Sequence, residues 1–186
     1  MPRGQGHKVR RRRFFVACEG DSEGGYVAFL QRLADESVLA VHLDIRRYRG
    51  GDPLAIVQTA VKDLTTRRNR RGEYVGQAIF LDADRRNDVP ERTVLADRLI
   101  RDNEFQAIWS QPVFESLLLK HIPGCEQLQP ATSALSLQIL QDRWPEYRKG
   151  MAAYELRERF DHAAVLRAAA TIPEFRRFLA LIGLVD

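Results

Sequence analysis

Short apolar runs alternate four times with stretches of helical period, and this alternation constrains the chain more than any other feature. Phe14-Phe15-Val16-Ala17-Cys18 is one continuous apolar run and Ala78-Ile79-Phe80-Leu81 is another. Runs of this kind fit strands of a parallel sheet covered on both faces. Val41, Leu43 and Ile45 alternate with His42, Asp44 and Arg46, which predicts a strand with one wet face. Phe105 to Trp109 reads as a fourth strand.

Helix signals lie between these runs. Asp21 or Ser22 can cap a helix whose apolar stripe is Tyr26, Phe29, Leu30, Leu33 and Ala34. Asp52-Pro53, after a Gly50-Gly51 turn, is a cap followed by proline at the first helical position. Leu54, Val57, Ala60, Val61 and Leu64 continue that helix on one face, and Gly72 marks its stop. Asp88 and Pro90 open a third helix with Val94, Leu95 and Leu99 inside. Ser110 and Pro112 start a fourth, bearing Phe114, Leu117 and Leu118, which Pro123-Gly124 closes. Residues 13–122 thus predict an α/β fold with a sheet of about four mainly parallel strands, joined by right-handed crossovers.

After about residue 130 the period is helical throughout, over Leu135–Leu140, Tyr154–Phe160, Ala163–Ala170 and Phe175–Leu181. We expect three parts: a basic, flexible tail over 1–12, an α/β domain over 13–125, and a helical extension over 126–186 packed on the same domain. A chain of 186 residues with 45% hydrophobic content can bury a real core. No stretch approaches the roughly 20 apolar residues of a membrane span. The run Phe14–Cys18 is too short for a signal-peptide core. Cys18 and Cys125 make neither a disulfide framework nor a zinc spacing, so a reducing cytoplasm is the expected setting. Secreted mini-proteins, collagen-like chains and membrane proteins are excluded as classes.

The formal net charge of +4 is unevenly spread. Residues 1–13 carry six basic residues (Arg3, Lys8, Arg10, Arg11, Arg12, Arg13) and no acid, which leaves the remainder with a net of −2. A second basic knot holds Arg67, Arg68, Arg70 and Arg71. Only four of the 29 basic residues are lysines, and arginine forks suit bidentate phosphate contacts. Both clusters are therefore candidates for binding nucleic acid or another polyanion. The plainer alternative is that they keep the surface soluble.

Chemistry points to the strand ends. The first continuous run is followed by Glu19, Asp21 and Glu23, the second by Asp82, Asp84 and, after a short loop, Asp88. Sites in open parallel sheets form outside the carboxyl ends of the strands, so both groups fall on one edge. If the two strands are neighbours, several carboxylates converge, a donor set of hard oxygens suited to Mg²⁺ or Mn²⁺. Such an ion can polarise phosphate oxygens and activate a water. The structural alternatives are capping for Asp21, Glu23 and Asp88, and solvation for Glu115 on the fourth helix. The four histidines share no metal spacing, and His121 near a helix end reads as a complement to the helix dipole. Cys18 beside Glu19 reads as a small buried hydrophobe.

Cys18-Glu19-Gly20-Asp21-Ser22-Glu23-Gly24-Gly25-Tyr26, then Phe80-Leu81-Asp82-Ala83-Asp84, then Ser110-Gln111-Pro112-Val113-Phe114-Glu115-Ser116-Leu117-Leu118-Leu119-Lys120-His121 together resemble the RloB-like family in order and rough spacing. Ser22, Gln111 and Ser116 depart from that family's usual threonine, asparagine and tryptophan. The resemblance covers about residues 12–125, with a weaker echo over Lys149–Ala170. It implies a Rossmann-like domain related to the Toprim fold of topoisomerases, primases and overcoming-lysogenisation-defect nucleases. It also implies that Glu19 is a general acid or base and that Asp82 and Asp84 bind Mg²⁺. Glu23 would be a second ligand, with Asp88 and Glu115 as site support. The expected function is a Mg²⁺-dependent nuclease or related phosphodiester-acting enzyme, in restriction or phage defence. The main rival is a nucleic-acid-binding or regulatory subunit working with a partner such as a defence ATPase, and a homo-oligomer is compatible with either. A small-molecule phosphatase is a weaker rival, because the first strand ends in glutamate rather than a nucleophilic aspartate.

Overall fold

The computed structural model describes residues 10–49 and 51–186. Arg3 and Lys8 of the basic tail, and Gly50 of the expected turn, lie outside the described residues. The order of elements is β1 (Arg12–Cys18), α1 (Asp21–Glu36), β2 (Val41–Arg47), α2 (Pro53–Arg71), β3 (Gly76–Asp82), α3 (Pro90–Asp102), β4 (Phe105–Ser110) and α4 (Phe114–Leu119). Four helices follow: α5 (Ser133–Arg143), α6 (Ala153–Arg159), α7 (His162–Ala169) and α8 (Pro173–Ile182).

All strand pairings are parallel, and the strand order is β2-β1-β3-β4. This is the α/β, Rossmann-like architecture expected from the alternation of runs. The two continuously apolar runs became the two central strands, β1 and β3, because only a central strand is covered on both faces. Their side chains alternate between two cores. Phe14, Val16, Cys18, Ala78 and Phe80 face a large core shared with α1. Phe15, Ala17, Ile79 and Leu81 face a smaller one shared with α2 and α3. The large core also takes in Leu140, Leu156, Val165, Phe175 and Phe178, so the helices after residue 130 pack on the sheet's α1 face. Among the described residues no helix is long and apolar enough to cross a membrane.

Local signals were read correctly at α2, where the Asp52 carboxylate accepts the Ala55 N–H at 3.0 Å and Pro53 opens the helix. They were misread at three other starts. Gly20, not Asp21 or Ser22, is the N-cap of α1, and the Glu23 carboxylate reaches back to accept its N–H at 2.9 Å. Asp88 does not cap α3. Val89 holds the extended cap position before Pro90, and Asp88 instead lies exposed 3.5 Å from Arg85. Ser110 ends β4, and α4 begins at Phe114. The buried face of α3 is also one position out of phase with the expectation. Ala96 and Ile100 are buried, whereas Val94 and Leu95 are 66% and 50% exposed.

Phe15 is fully buried in the smaller core, edge-on to Tyr74 at 5.7 Å and to Phe105 at 6.1 Å between ring centroids. Phe15→Ala is expected to cost about 3–5 kcal/mol of stability. Urea unfolding checks this, with the loss in midpoint and little change in slope.

Candidate functional site

The strand order reverses direction at β1: β2 lies on one side of it and β3 on the other. The connection after β1 runs onto the α1 face and the one after β3 runs onto the α3 face. Connections that part to opposite faces leave a crevice at the carboxyl ends of the two strands, the usual ligand position in open α/β sheets. Glu19 and Asp82 meet there. The Asp82 backbone N–H donates to Glu19 Oε2 at 2.8 Å, and the Glu19 N–H donates to the Phe80 carbonyl at 3.1 Å. The first acid after β1 is thereby tied directly to the end of β3.

Two further carboxylates are buried around this pair. Glu23, on the first turn of α1, is 4% exposed, and Glu115, on the first turn of α4, is 2% exposed. Glu115 Oε1 accepts a hydrogen bond from the Tyr147 hydroxyl at 2.9 Å and lies 3.5 Å from Lys149 Nζ. Burial and repulsion from neighbouring acids raise the proton affinity of Asp82, Glu23 and Glu19. Asp82 is pushed up to about 9, first by burial and then by Glu23, Glu19, Asp84 and Glu115. Glu23 is pushed up to about 7, again mainly by burial, with its bond from Gly20 working against the shift. Glu19 is also raised by burial, partly offset by the Asp82 N–H. The sulfur of Cys18 beneath them is fully buried with its thiol pushed up, as a structural cysteine should be.

This donor set suits a divalent cation. Asp82 Oδ1 is buried and has no hydrogen-bond partner, so the folded protein leaves one hard oxygen unsatisfied amid like charges. Among the described residues no group of three or more His, Cys, Asp or Glu side chains stands in position to hold a metal ion as placed. A Mg²⁺ ion does not require such a group, because it commonly uses one or two carboxylates and keeps several waters.

The remaining expected residues divide sharply. Asp84 lies exposed on the same loop and takes a 3.3 Å bond from Ser133 at the start of α5. Asp88 is exposed and paired with Arg85, outside the buried group. The arginine clusters are not at this edge. Arg10 to Arg13 stand at the amino end of β1, and seven strand residues at about 3.3 Å each put roughly 20 Å between them and Glu19. Arg67, Arg68, Arg70 and Arg71 end α2, and Arg13 donates to the Arg71 carbonyl at 2.5 Å, so the two clusters meet each other instead. Several are already engaged. Arg67 grips Asp44 at 2.9 and 3.1 Å, Arg68 binds Gln77 at 3.2 Å, and Arg11 pairs with Asp35 at 2.9 Å. Arg12 and Arg13 lie over the rings of Phe14 and Tyr74. Arg10, Arg70 and Arg71 remain exposed. His121 is not a dipole complement. It is 1% exposed, bonded to the Tyr26 hydroxyl at 2.7 Å and to the Leu117 carbonyl at 2.9 Å, and burial drives it down to about 4, so it is neutral.

The Tyr147–Met151 segment carries site residues that the sequence did not reveal. The Gly150 N–H donates to Ser22 Oγ at 3.0 Å, and the Met151 carbonyl packs so close to Gly25 that a Cβ there would come within 2.2 Å of it. The pair Gly24-Gly25 was the available signal: Gly25 lets the Met151 backbone come down onto α1, and Gly24 makes room for the Arg47 side chain. No family model matches the chain, and neither a curated protein nor a solved structure matches it.

Raised carboxylates bind protons more tightly in the folded than in the unfolded chain. The folded state therefore holds more protons between about pH 4 and pH 9, and stability falls as pH rises through that window. In divalent-free buffer the melting temperature should decline from pH 6 to pH 9. Asp82→Asn should flatten the decline and add ~0.5–2 kcal/mol at pH 8. A flat wild-type profile would contradict the raised proton affinities of Asp82 and Glu23. Gly25→Ala should cost about 1–3 kcal/mol or displace the Tyr147–Met151 segment, read as a lower melting temperature.

Proposed function

We propose that this chain is a divalent-metal-dependent phosphodiester-acting enzyme, a nuclease of the kind implied by the RloB-like, Toprim-related resemblance. The observation that carries the reading is Asp82: a strand-end carboxylate with one oxygen buried and unpartnered, its backbone held by Glu19, in a crevice with Glu23 and Glu115. Asp82 and Asp84 are the residues that would hold Mg²⁺ or Mn²⁺, with Glu23 as a further ligand and Glu19 beside them as general acid or base. Such an ion, when bound, supplies charge neutralisation for a phosphodiester and a more acidic water.

The protein's own contribution is protonic and positional. Glu23, pushed up to about 7, is suited to hold or release a proton near neutral pH, and burial raises Glu19 in the same direction. Tyr147 fixes the orientation of Glu115 by donating to it. Nucleic acid is the proposed substrate and the cytoplasm the proposed setting, with restriction or phage defence as the context.

A second reading, a nucleic-acid-binding or regulatory subunit acting beside an ATPase, draws on a different observation. The exposed Arg10, Arg70 and Arg71 sit away from the carboxylates, where a polyanion would meet no chemistry.

Single- and double-stranded DNA and RNA incubated with the purified protein and Mg²⁺ or Mn²⁺ test the first reading. Cleavage by wild type and a loss of roughly 100-fold or more in both Asp82→Asn and Glu19→Gln are expected. Equal cleavage by all three proteins, or none on any substrate, would sink it. Nucleic-acid binding that ignores both divalent ions and Asp82→Asn would favour the regulatory reading.

A further inference from the structure

A phosphodiester approaching Glu19 and Asp82 meets acids there and none of the arginine clusters, which stand about 20 Å away at the other end of the strands. Two other cations stand at the carboxyl edge. Arg47 is the last residue of β2, and its side chain lies across α1 at Gly24, where a Cβ would fall 2.1 Å from the guanidinium Nε. Lys149 belongs to the segment clamped on α1 through Ser22 and Gly25. Their side chains are 49% and 67% exposed. Their acidic neighbours are loosely placed, with Asp21 at 4.0 Å from Arg47 and Glu115 at 3.5 Å from Lys149. Arg67, gripped bidentately by Asp44 with its side chain 19% exposed, is committed to the fold, whereas Arg47 and Lys149 keep donors free for a ligand. Both line a groove of about 510 Å³ together with Asp21, Gly25, Gly150 and Met151.

We propose that this groove is a phosphate-binding subsite, in which Arg47 and Lys149 hold the backbone of an oligonucleotide beside the carboxylates. The inference rests on the proposed nucleic-acid substrate and moves its contact surface away from the arginine clusters. Gly24 and Gly25 are what the subsite requires of α1. The first leaves room for the Arg47 side chain and the second lets the Lys149–Met151 backbone come down onto the helix. The two cations come from elements more than a hundred residues apart, yet each is seated on the same two turns of one helix. Arginine supplies a fork and lysine a point charge, a pairing that suits successive phosphate oxygens.

Fluorescence anisotropy of end-labelled single- and double-stranded oligonucleotides, without divalent ion so that no strand is cut, tests the subsite. The double variant Arg47→Ala/Lys149→Ala should bind roughly tenfold or more weakly, with the salt slope reduced by about 1–2. Lys149→Arg should keep wild-type affinity. Arg70→Ala/Arg71→Ala, at the opposite edge, should leave affinity unchanged. Lys149→Glu alone, at a well-exposed side chain, gives a second reading should the double variant melt early, and is expected to weaken binding further than Lys149→Ala. Wild-type affinity in Arg47→Ala/Lys149→Ala or in Lys149→Glu would overturn the subsite while leaving the nuclease reading standing. Loss of binding in Arg70→Ala/Arg71→Ala alone would do the same. If wild type binds no oligonucleotide at all, the nucleic-acid reading itself fails and the subsite falls with it.

Discussion

The parallel pairing of β1 with β3 is the contact on which the rest of the molecule depends. It joins two apolar runs sixty residues apart into the centre of a sheet, and it places Glu19 beside Asp82. Each strand is so thoroughly buried that its first polar side chain can reach water only at the strand's end. Two such ends meeting at a point where the connections part to opposite faces give a crevice lined by acids. The hydrogen bond from the Asp82 N–H to Glu19 then couples the backbone of one strand to the side chain following the other.

This arrangement is electrostatically unfavourable for the chain alone. Carboxylates gathered in a low-dielectric crevice hold protons well above their ordinary range, and one Asp82 oxygen has no partner. The opposite edge shows the contrasting solution. There Asp44 is satisfied by both Arg67 and the Tyr74 hydroxyl, and its carboxyl is held below the ordinary range. One edge is therefore compensated by cations, while at the other Asp82 and Glu23 are compensated by the protons they retain. The Tyr147–Met151 segment seals part of the strained edge by burying the Glu115 carboxylate under a phenol and setting a lysine at its rim.

Sequence alone was enough for the class of fold, the four strands, the cap at Asp52 and the acids that follow the two central strands, because these follow from periodicity and from residue types next to one another. Its failures share one cause. The cap of α1 was misassigned because Gly20, which has no side chain to signal it, holds the cap position, and Glu23 at the third helical position accepts its N–H. The phase of α3 was missed because Ala96 presents no hydrophobic signal comparable to Val94 and Leu95, although it faces the sheet. Where the arginine clusters stand relative to the carboxylates was not legible, because a linear count of charge carries no direction along a strand. His121 was read by its place near a helix end, whereas burial sets its state and Tyr26, ninety-five residues earlier, bonds its ring.

What the chain's own order of residues determined is the sheet, its two-sided burial and the acids that terminate its central strands, since strand period and helix period are local properties of a short window. What tertiary structure decided is which charges meet: Glu19 with Asp82, Tyr147 and Lys149 with Glu115, and the arginines with each other at the far edge. Proximity between distant segments depends on strand order and on the face each helix takes. Those are set by how whole layers pack against one another, a property that no single window of sequence contains.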